Sequence, residues 1–323
     1  MPERAGMADL DFSSRFSAYR ERIEQVLADF LPSMTAETGG LVVEAARYSL
    51  LGGGKRLRPV LLLAVMDMLS GDPASMDRAL PFAAAIEMIH TYSLIHDDLP
   101  CMDDDQLRRG QPTCHVAFGE AIAVLAGDLL LNRAAELMLS RIDPGHPGTL
   151  AAARIIMRAS GGQGMIGGQV LDLQAENRQI SLDALRRLHR MKTGALLLAP
   201  VQAAIELVRP VEDRSNLRHL TTSERAQAYA ALVQYGEAAG LAFQIQDDIL
   251  DGSSSSDVMG KTIGKDERDL KSTYVTLLGR DQAINHLQAT LETAGQALLR
   301  LSRFSLETTF LSGLIDYLLV RKS

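Results

Sequence analysis

Two aspartate clusters hold the residues most able to do chemistry. The first, HDDLPCMDDDQLRRG (96–110), contains Asp97, Asp98, Asp103, Asp104 and Asp105, followed at once by Arg108 and Arg109. The second, FQIQDDILD (243–251), sets Asp247 and Asp251 four apart on one helical face, with Gln244 one turn earlier. Aspartates at a helix C-terminus oppose the macrodipole and repel one another, a cost that a hard cation would offset. Mg2+ takes carboxylate oxygens and binds alongside substrate phosphates. A solvated acidic face explains either cluster alone; it does not explain two that each follow an apolar stretch.

The cationic residues are clustered as well. LGGGKRLRP places Lys55, Arg56 and Arg58 between glycine-rich backbone and a helix start, a combination suited to phosphate. It is no Walker loop, because no Ser or Thr follows the lysine and no strand precedes it; GKT (260–262) fails too, with serine at position 255. Lys192 and Thr193 interrupt an apolar helix, where a lysine needs a partner. Lys261 and Lys271 follow the second aspartate cluster. Carboxylates for a metal, with Lys and Arg for outer oxygens, read as metal–diphosphate chemistry.

The elements that must position these groups are helical almost throughout. Apolar residues recur every three or four positions over 11–31, 41–51, 59–69, 77–95, 116–140, 149–172, 181–206 and 224–251, and again from about 272 onward. Breaks fall at 141–148, 209–216 and 252–260, and no stretch alternates like a strand. The expectation is an all-α chain: a flexible tail at 1–8 and one domain over 9–323, a single large helical bundle. Composition agrees, with 46% hydrophobic residues, 23% charged and no Trp. A net charge of −7 argues against a nucleic-acid partner, although local cations can still hold small anions. Two cysteines, Cys101 and Cys114, make no disulfide framework and suggest a reducing cytoplasm. No apolar run of membrane-spanning length and no signal peptide is evident.

These motifs, in this order, resemble the trans-isoprenyl diphosphate synthases along nearly the whole chain. The resemblance is carried by GGGKRLRP, HTYSLIHDDLPCMDDDQLRRGQPT, AVLAGDLLL, GMIGGQVLDL, KTGALL, FQIQDDILD, GKTIGKD and DLKSTY. It implies a helical bundle around a central cavity, a homodimer, and Mg2+ as cofactor, up to three ions with Mn2+ a possible substitute. It also implies a head-to-tail condensation of isopentenyl diphosphate with dimethylallyl and then geranyl diphosphate. By position, Asp97 and Asp103 with Asp98 in support, and Asp247 with Asp251, would hold the metal. Arg108, Lys192, Lys261 and Lys271 would contact the allylic diphosphate, and Lys55, Arg58, His90 and Arg109 that of isopentenyl diphosphate. Thr193 and Gln244 would flank the reacting carbons, and Tyr92 and Ser93 would set chain length. A ten- or twenty-carbon product, a terpene cyclase and a non-catalytic partner subunit are the rivals. The cyclase lacks a reason for GGGKRLRP, and the partner subunit a reason for two intact aspartate clusters.

Other residues carry less. His96 beside Asp97 looks like a phosphohydrolase HD pair but lacks the further spaced ligands, and His115 and His189 read as surface or packed side chains. Gln169 is a cavity-lining candidate, and Asp172 a candidate for the diphosphate end. Asp97 and Asp103 are six apart, about 240° round an ideal helix and so on the wrong face. Pro100 between them is expected to bulge the helix and bring Asp103 back.

Overall fold

The structure, a computed structural model, describes residues 3–31, 39–209, 215–251 and 272–319, with side chains described from residue 11 onward except at 251 and 319. The fold is all-α, as the sequence pattern predicts. Helices α1 (Glu3–Phe30), α2 (Gly40–Leu51), α3 (Leu57–Ser70) and α4 (Pro73–Asp97) lead into a short hairpin of β1 (Leu107–Arg108) and β2 (Gln111–Pro112). Then come α5 (Cys114–Phe118), α6 (Glu120–Leu139), α7 (Gly148–Ser160), α8 (Met165–Ala175) and α9 (Leu182–His189). A π-helical turn, Arg190–Gly194, joins α9 to α10 (Ala195–Val208), and α11 (Thr222–Asp251), α12 (Tyr274–Leu278), α13 (Arg280–Ser302) and α14 (Thr309–Leu319) follow. Helix α1 begins inside the stretch expected as a tail.

The core sits where α10 packs on α3, α4, α7 and α11. Between Ala79 and Tyr92 every residue of α4 but His90 is buried, and a helix apolar on all sides is one enclosed by others. Its start is well specified: Asp72 caps the Ala74 N–H and Pro73 occupies the first turn. That moves the helix start four residues ahead of the expected 77. The expected helix 149–172 is two helices, split by the glycine-rich turn at 161–164.

Leu182–Val208, continuous through the π turn, is long and apolar enough to cross a membrane, with a mean hydropathy of 1.3 in its most apolar window. This corrects the sequence expectation that no run reaches that length. Its apolarity is used inside the protein: Leu196, Leu197, Val201, Ile205, Leu207 and Val208 are buried. Each such aliphatic side chain contributes about 1.5–3 kcal/mol on burial.

Candidate active site

The first aspartate cluster is built by ending α4. The residue before a proline is disfavoured in the α region, so Leu99 ahead of Pro100 favours an end to the helix here, although Pro81 is accommodated inside α4. The helix stops at Asp97, and the turns that follow bring the Asp103 N–H onto the Asp97 carbonyl at 2.8 Å. The two aspartates do meet, but the expected bulge in a continuing helix is replaced by a terminal loop. Asp104 takes φ +50° in that loop, which Asp tolerates better than most side chains. Asp97 is pushed up to about 6, first by burial and then, against the pull of Lys192, by the Asp103 carboxylate.

Asp98 is turned inward. Its side chain is 3% exposed, and Arg108 grips both oxygens through Nε, at 2.8 and 2.7 Å, and again through Nη2. Arg108, expected at the allylic diphosphate, thus also locks the hairpin to the end of α4.

The basic loop divides its labour. Arg56 is buried, donates to Glu87 at 2.8 Å and to the Leu50 carbonyl at 2.7 Å, and so serves the fold. Glu87, also buried, was not singled out by sequence; a lone acid inside AAAIEMIH was its only signal. Lys55 is exposed, and the buried Arg58 Nε has no hydrogen-bond partner among the described residues. Arg109 donates to the Gly53 carbonyl, and its guanidinium lies against Gly54, where a Cβ would come within 2.8 Å of it. Gly54 also takes φ +130°, so the backbone demands glycine, whereas the guanidinium at the end of the flexible Arg109 side chain could shift.

His90 stands among these arginines. Burial holds its pKa well below the ordinary 6.5, and Arg58, Arg109, Arg108 and Arg56 depress it further, so the ring is neutral near pH 7. Arg58 is lowered by burial too, with Glu87 and then Asp247 opposing the shift. The Asp247 charge acts on Arg58, so the second cluster's first carboxylate lies within electrostatic reach of the basic loop. Arg58 and Arg109 act together on His90, and Lys55 lies in the loop just ahead of Arg58, a grouping suited to an anion.

Lys192 has the partner its apolar setting requires: it is hydrogen-bonded to Asp172 on α8, and its charge also acts on Asp97. Both sit where α8 crosses the π turn, and a Cβ on Gly168 would fall on the Lys192 backbone. π-helical turns recur at functional sites because they re-aim side chains. Thr193, in the same turn, and Gln169 are half-buried. A Cβ on Gly240 would lie 3.6 Å from the Gly194 Cα, so α11 runs close past this turn before reaching half-buried Gln244 and Asp247. Lys261, Lys271 and the Asp251 side chain lie outside the described residues.

The remaining candidates are packed. Tyr92 is 5% exposed, its hydroxyl has no hydrogen-bond partner among the described residues, and its ring lies edge-on to His96 at 5.7 Å. The Ser93 hydroxyl donates to the His90 carbonyl at 2.8 Å. His96 is bound to the Val124 carbonyl at 3.1 Å, His115 is buried against Thr113, and His189 is buried against the Tyr274 ring. A cavity of about 830 Å³ between α7, α10 and α11, reached by Leu198, Gln202 and Tyr229, touches none of the candidate residues.

The donor set fits a hard divalent cation. Asp97 and Asp103 bring together carboxylate oxygens, the donors such a cation takes, and a cation would relieve their mutual repulsion. Among the described residues no group of three or more His, Cys, Asp or Glu side chains that could hold a metal ion is found.

An all-α bundle with aspartates at two helix ends and arginines around a neutral histidine defines a class: a helical protein suited to an anionic, diphosphate-like substrate. Residues 40–297 match the polyprenyl synthetase family, and the chain belongs to that family. It is 42% identical over 318 residues to the farnesyl diphosphate synthase of Escherichia coli K12, covering 97% of this chain and 99% of that protein. The farnesyl diphosphate synthase of Haemophilus influenzae is 42% identical over 312 residues, with 97% and 99% covered. The apo crystal structure of an FPP/GFPP synthase from Zymomonas mobilis superposes with a TM-score of 0.79 at 34% identity, over 96% of this chain and 99% of that one.

Proposed function

We propose that this protein is a farnesyl diphosphate synthase, condensing isopentenyl diphosphate first with dimethylallyl and then with geranyl diphosphate. The observation that carries this reading is opposite charge brought within electrostatic reach from distant parts of the chain: Lys192 and Arg108 act on Asp97, and Asp247 acts on Arg58. When bound, Mg2+, up to three ions with Mn2+ able to substitute, neutralises the allylic diphosphate and makes it a leaving group. Asp97, Asp103, Asp247 and Asp251 would hold the metal, with Asp98 acting in support through Arg108. Lys192, Arg108, Lys261 and Lys271 would bind the departing diphosphate, and Lys192 is already poised between Asp172 and Asp97. Lys55, Arg58, His90 and Arg109 would hold isopentenyl diphosphate, with His90 donating as a neutral ring. Holding both substrates makes attack on the allylic carbon effectively intramolecular. Thr193 and Gln244 would present neutral dipoles to the developing cation; the proton lost from the carbon beside the cation left by condensation, whose C–H pair becomes the new double bond, would pass to the released diphosphate.

Tyr92 and Ser93, five and four residues before Asp97, would form the floor that stops growth at fifteen carbons. A longer product is the second reading, because the Zymomonas mobilis relative is described with two products. A homodimer is also part of the proposal, supported by exposed Val124, Leu125, Leu139, Leu150 and Met157 on α6 and α7, as is a reducing cytoplasm for the free thiols. Purified protein with Mg2+, labelled isopentenyl diphosphate and each allylic primer should yield a fifteen-carbon diphosphate, and EDTA should abolish it. No condensation with any primer would overturn the reading. Tyr92→Ala should lengthen the product, and unchanged chromatograms would place the floor elsewhere.

A further inference from the structure

Asp248 has no role in the scheme above, yet it is among the few buried carboxylates in the molecule, 5% exposed on α11. Its neighbour Asp247 is half-buried and acts on Arg58, whereas Asp248 points about 100° away on the helix. A buried carboxylate must be met by donors. Here Oδ2 accepts from the Tyr274 backbone N–H at 2.8 Å, and Oδ1 accepts from Gln244 Nε2 at 3.3 Å. Tyr274 opens α12, is 1% exposed, and packs its ring against His189 at 5.8 Å and His286 at 6.0 Å. Asp98 behaves alike at the other cluster, turned inward onto Arg108.

The chemistry of the two partners fixes an orientation. An ionised carboxylate only accepts hydrogen bonds, so the end of the Gln244 amide that meets it must be the NH2. The carbonyl oxygen is thereby directed away from Asp248. Next to a developing carbocation that oxygen is the stabilising end of the dipole, and the NH2 would be the destabilising one.

We infer, on the reading of the active site given above, that Asp248 is a positioning residue that turns the Gln244 amide oxygen toward the reacting carbons while pinning the start of α12. It binds neither metal nor substrate. Asp248→Asn tests this directly. Its carbonyl oxygen can keep the Tyr274 N–H, which leaves its NH2 facing Gln244, and the Gln244 amide must then flip to pair with it. The fold keeps its hydrogen bonds while the dipole at the reacting centre reverses.

The expected result is a fall in kcat of about tenfold or more, with KM for both diphosphates within twofold and a melting temperature close to that of the parent. Calorimetric titration of Mg2+ in the presence of inorganic diphosphate should match the parent, whereas Asp247→Asn should weaken it at least tenfold. Amide exchange at 274–278 should stay slow. Gln244→Leu supplies a second arm: it should lose kcat to a similar extent, and adding Asp248→Asn to it should cost little more.

Weakened Mg2+ binding in Asp248→Asn would make Asp248 a ligand and overturn the inference. So would an unchanged kcat, or full additivity with Gln244→Leu. A kcat loss that tracks a collapsed melting temperature would reduce Asp248 to a structural part, as would an intact kcat in Gln244→Leu if Asp248→Asn does not fold. Normal Mg2+ binding in Asp247→Asn would instead count against the metal assignment and leave the Gln244 comparison standing.

Discussion

At the end of α4, Asp97 and Asp103 are six residues apart and meet because the chain leaves the helix after Asp97. At the end of α11, Asp247 and Asp251 are four apart and the helix continues to Asp251. The first arrangement is made by a terminal loop and held by a side chain ten residues on, Arg108 on Asp98. The second needs no change of register and is held by backbone 26 residues away, Tyr274 on Asp248. In both, the second of two adjacent aspartates, Asp98 or Asp248, faces inward to clamp a returning segment, and the first lies within electrostatic reach of a cation, Lys192 for Asp97 and Arg58 for Asp247. A local loop can place two carboxylates close enough to repel: the Asp97 pKa, pushed up to about 6 chiefly by burial, is raised further by Asp103. A regular helix spaces its pair by one turn.

The largest effect that would test this contrast is Asp97→Asn. Condensation should fall about a thousandfold, on the scale of losing one key electrostatic contact to the transition state. The metal-free variant should melt higher than the parent, because a repelled buried carboxylate has become neutral. A lower melting point would mean that Asp97 helps to hold the loop together.

Arg108→Met comes next. It leaves Asp98 buried without its bidentate partner, and removing one member of a buried ion pair costs roughly 3 kcal/mol or more. Urea melts should show that loss, with Asp98→Asn milder because it removes the charge as well. Equal stability of Arg108→Met and parent would show that the clamp is ornamental to the fold.

At the second region the acid limb is informative. Burial lowers His189 to about 4 from an ordinary 6.5, so its neutral form is favoured in the folded state and stability is present above 6.5. It is lost as pH falls from 6.5 toward 4, with about 2 kcal/mol gone at pH 5 by linkage. His189→Gln should flatten that limb, and parallel pH profiles of the two proteins would refute the assignment. The smallest expected effect is at Tyr92→Phe. Removing an unpartnered buried hydroxyl should raise stability by about 1 kcal/mol and leave product length unchanged.

Much of the site was legible in the sequence because its groups are local. The acidic runs, the basic glycine loop and the lysine inside an apolar helix are each contained within a few residues, and helical spacing tells which of them share a face. Lys192 illustrates the limit: its apolar setting demanded a partner, but Asp172 became that partner only through the crossing of α8 on the π turn, which no spacing rule gives. The end of α4 shows a second limit. Proline weakens a helix but does not settle how it responds: the chain runs through Pro81 inside α4 and leaves the helix before Pro100, and only neighbouring contacts choose between the two.

The sequence by itself determined the all-α class, the two aspartate clusters, the cations set against them and the family to which the chain belongs. These follow from periodicity, composition and motifs, all properties of neighbours along the chain. Tertiary structure decided which of two adjacent aspartates faces inward, that Arg56 serves the fold through Glu87 and the Leu50 carbonyl, and that His90 stays neutral among four arginines. Those depend on burial and on the field of groups tens of residues apart, which exist only once the helices have packed.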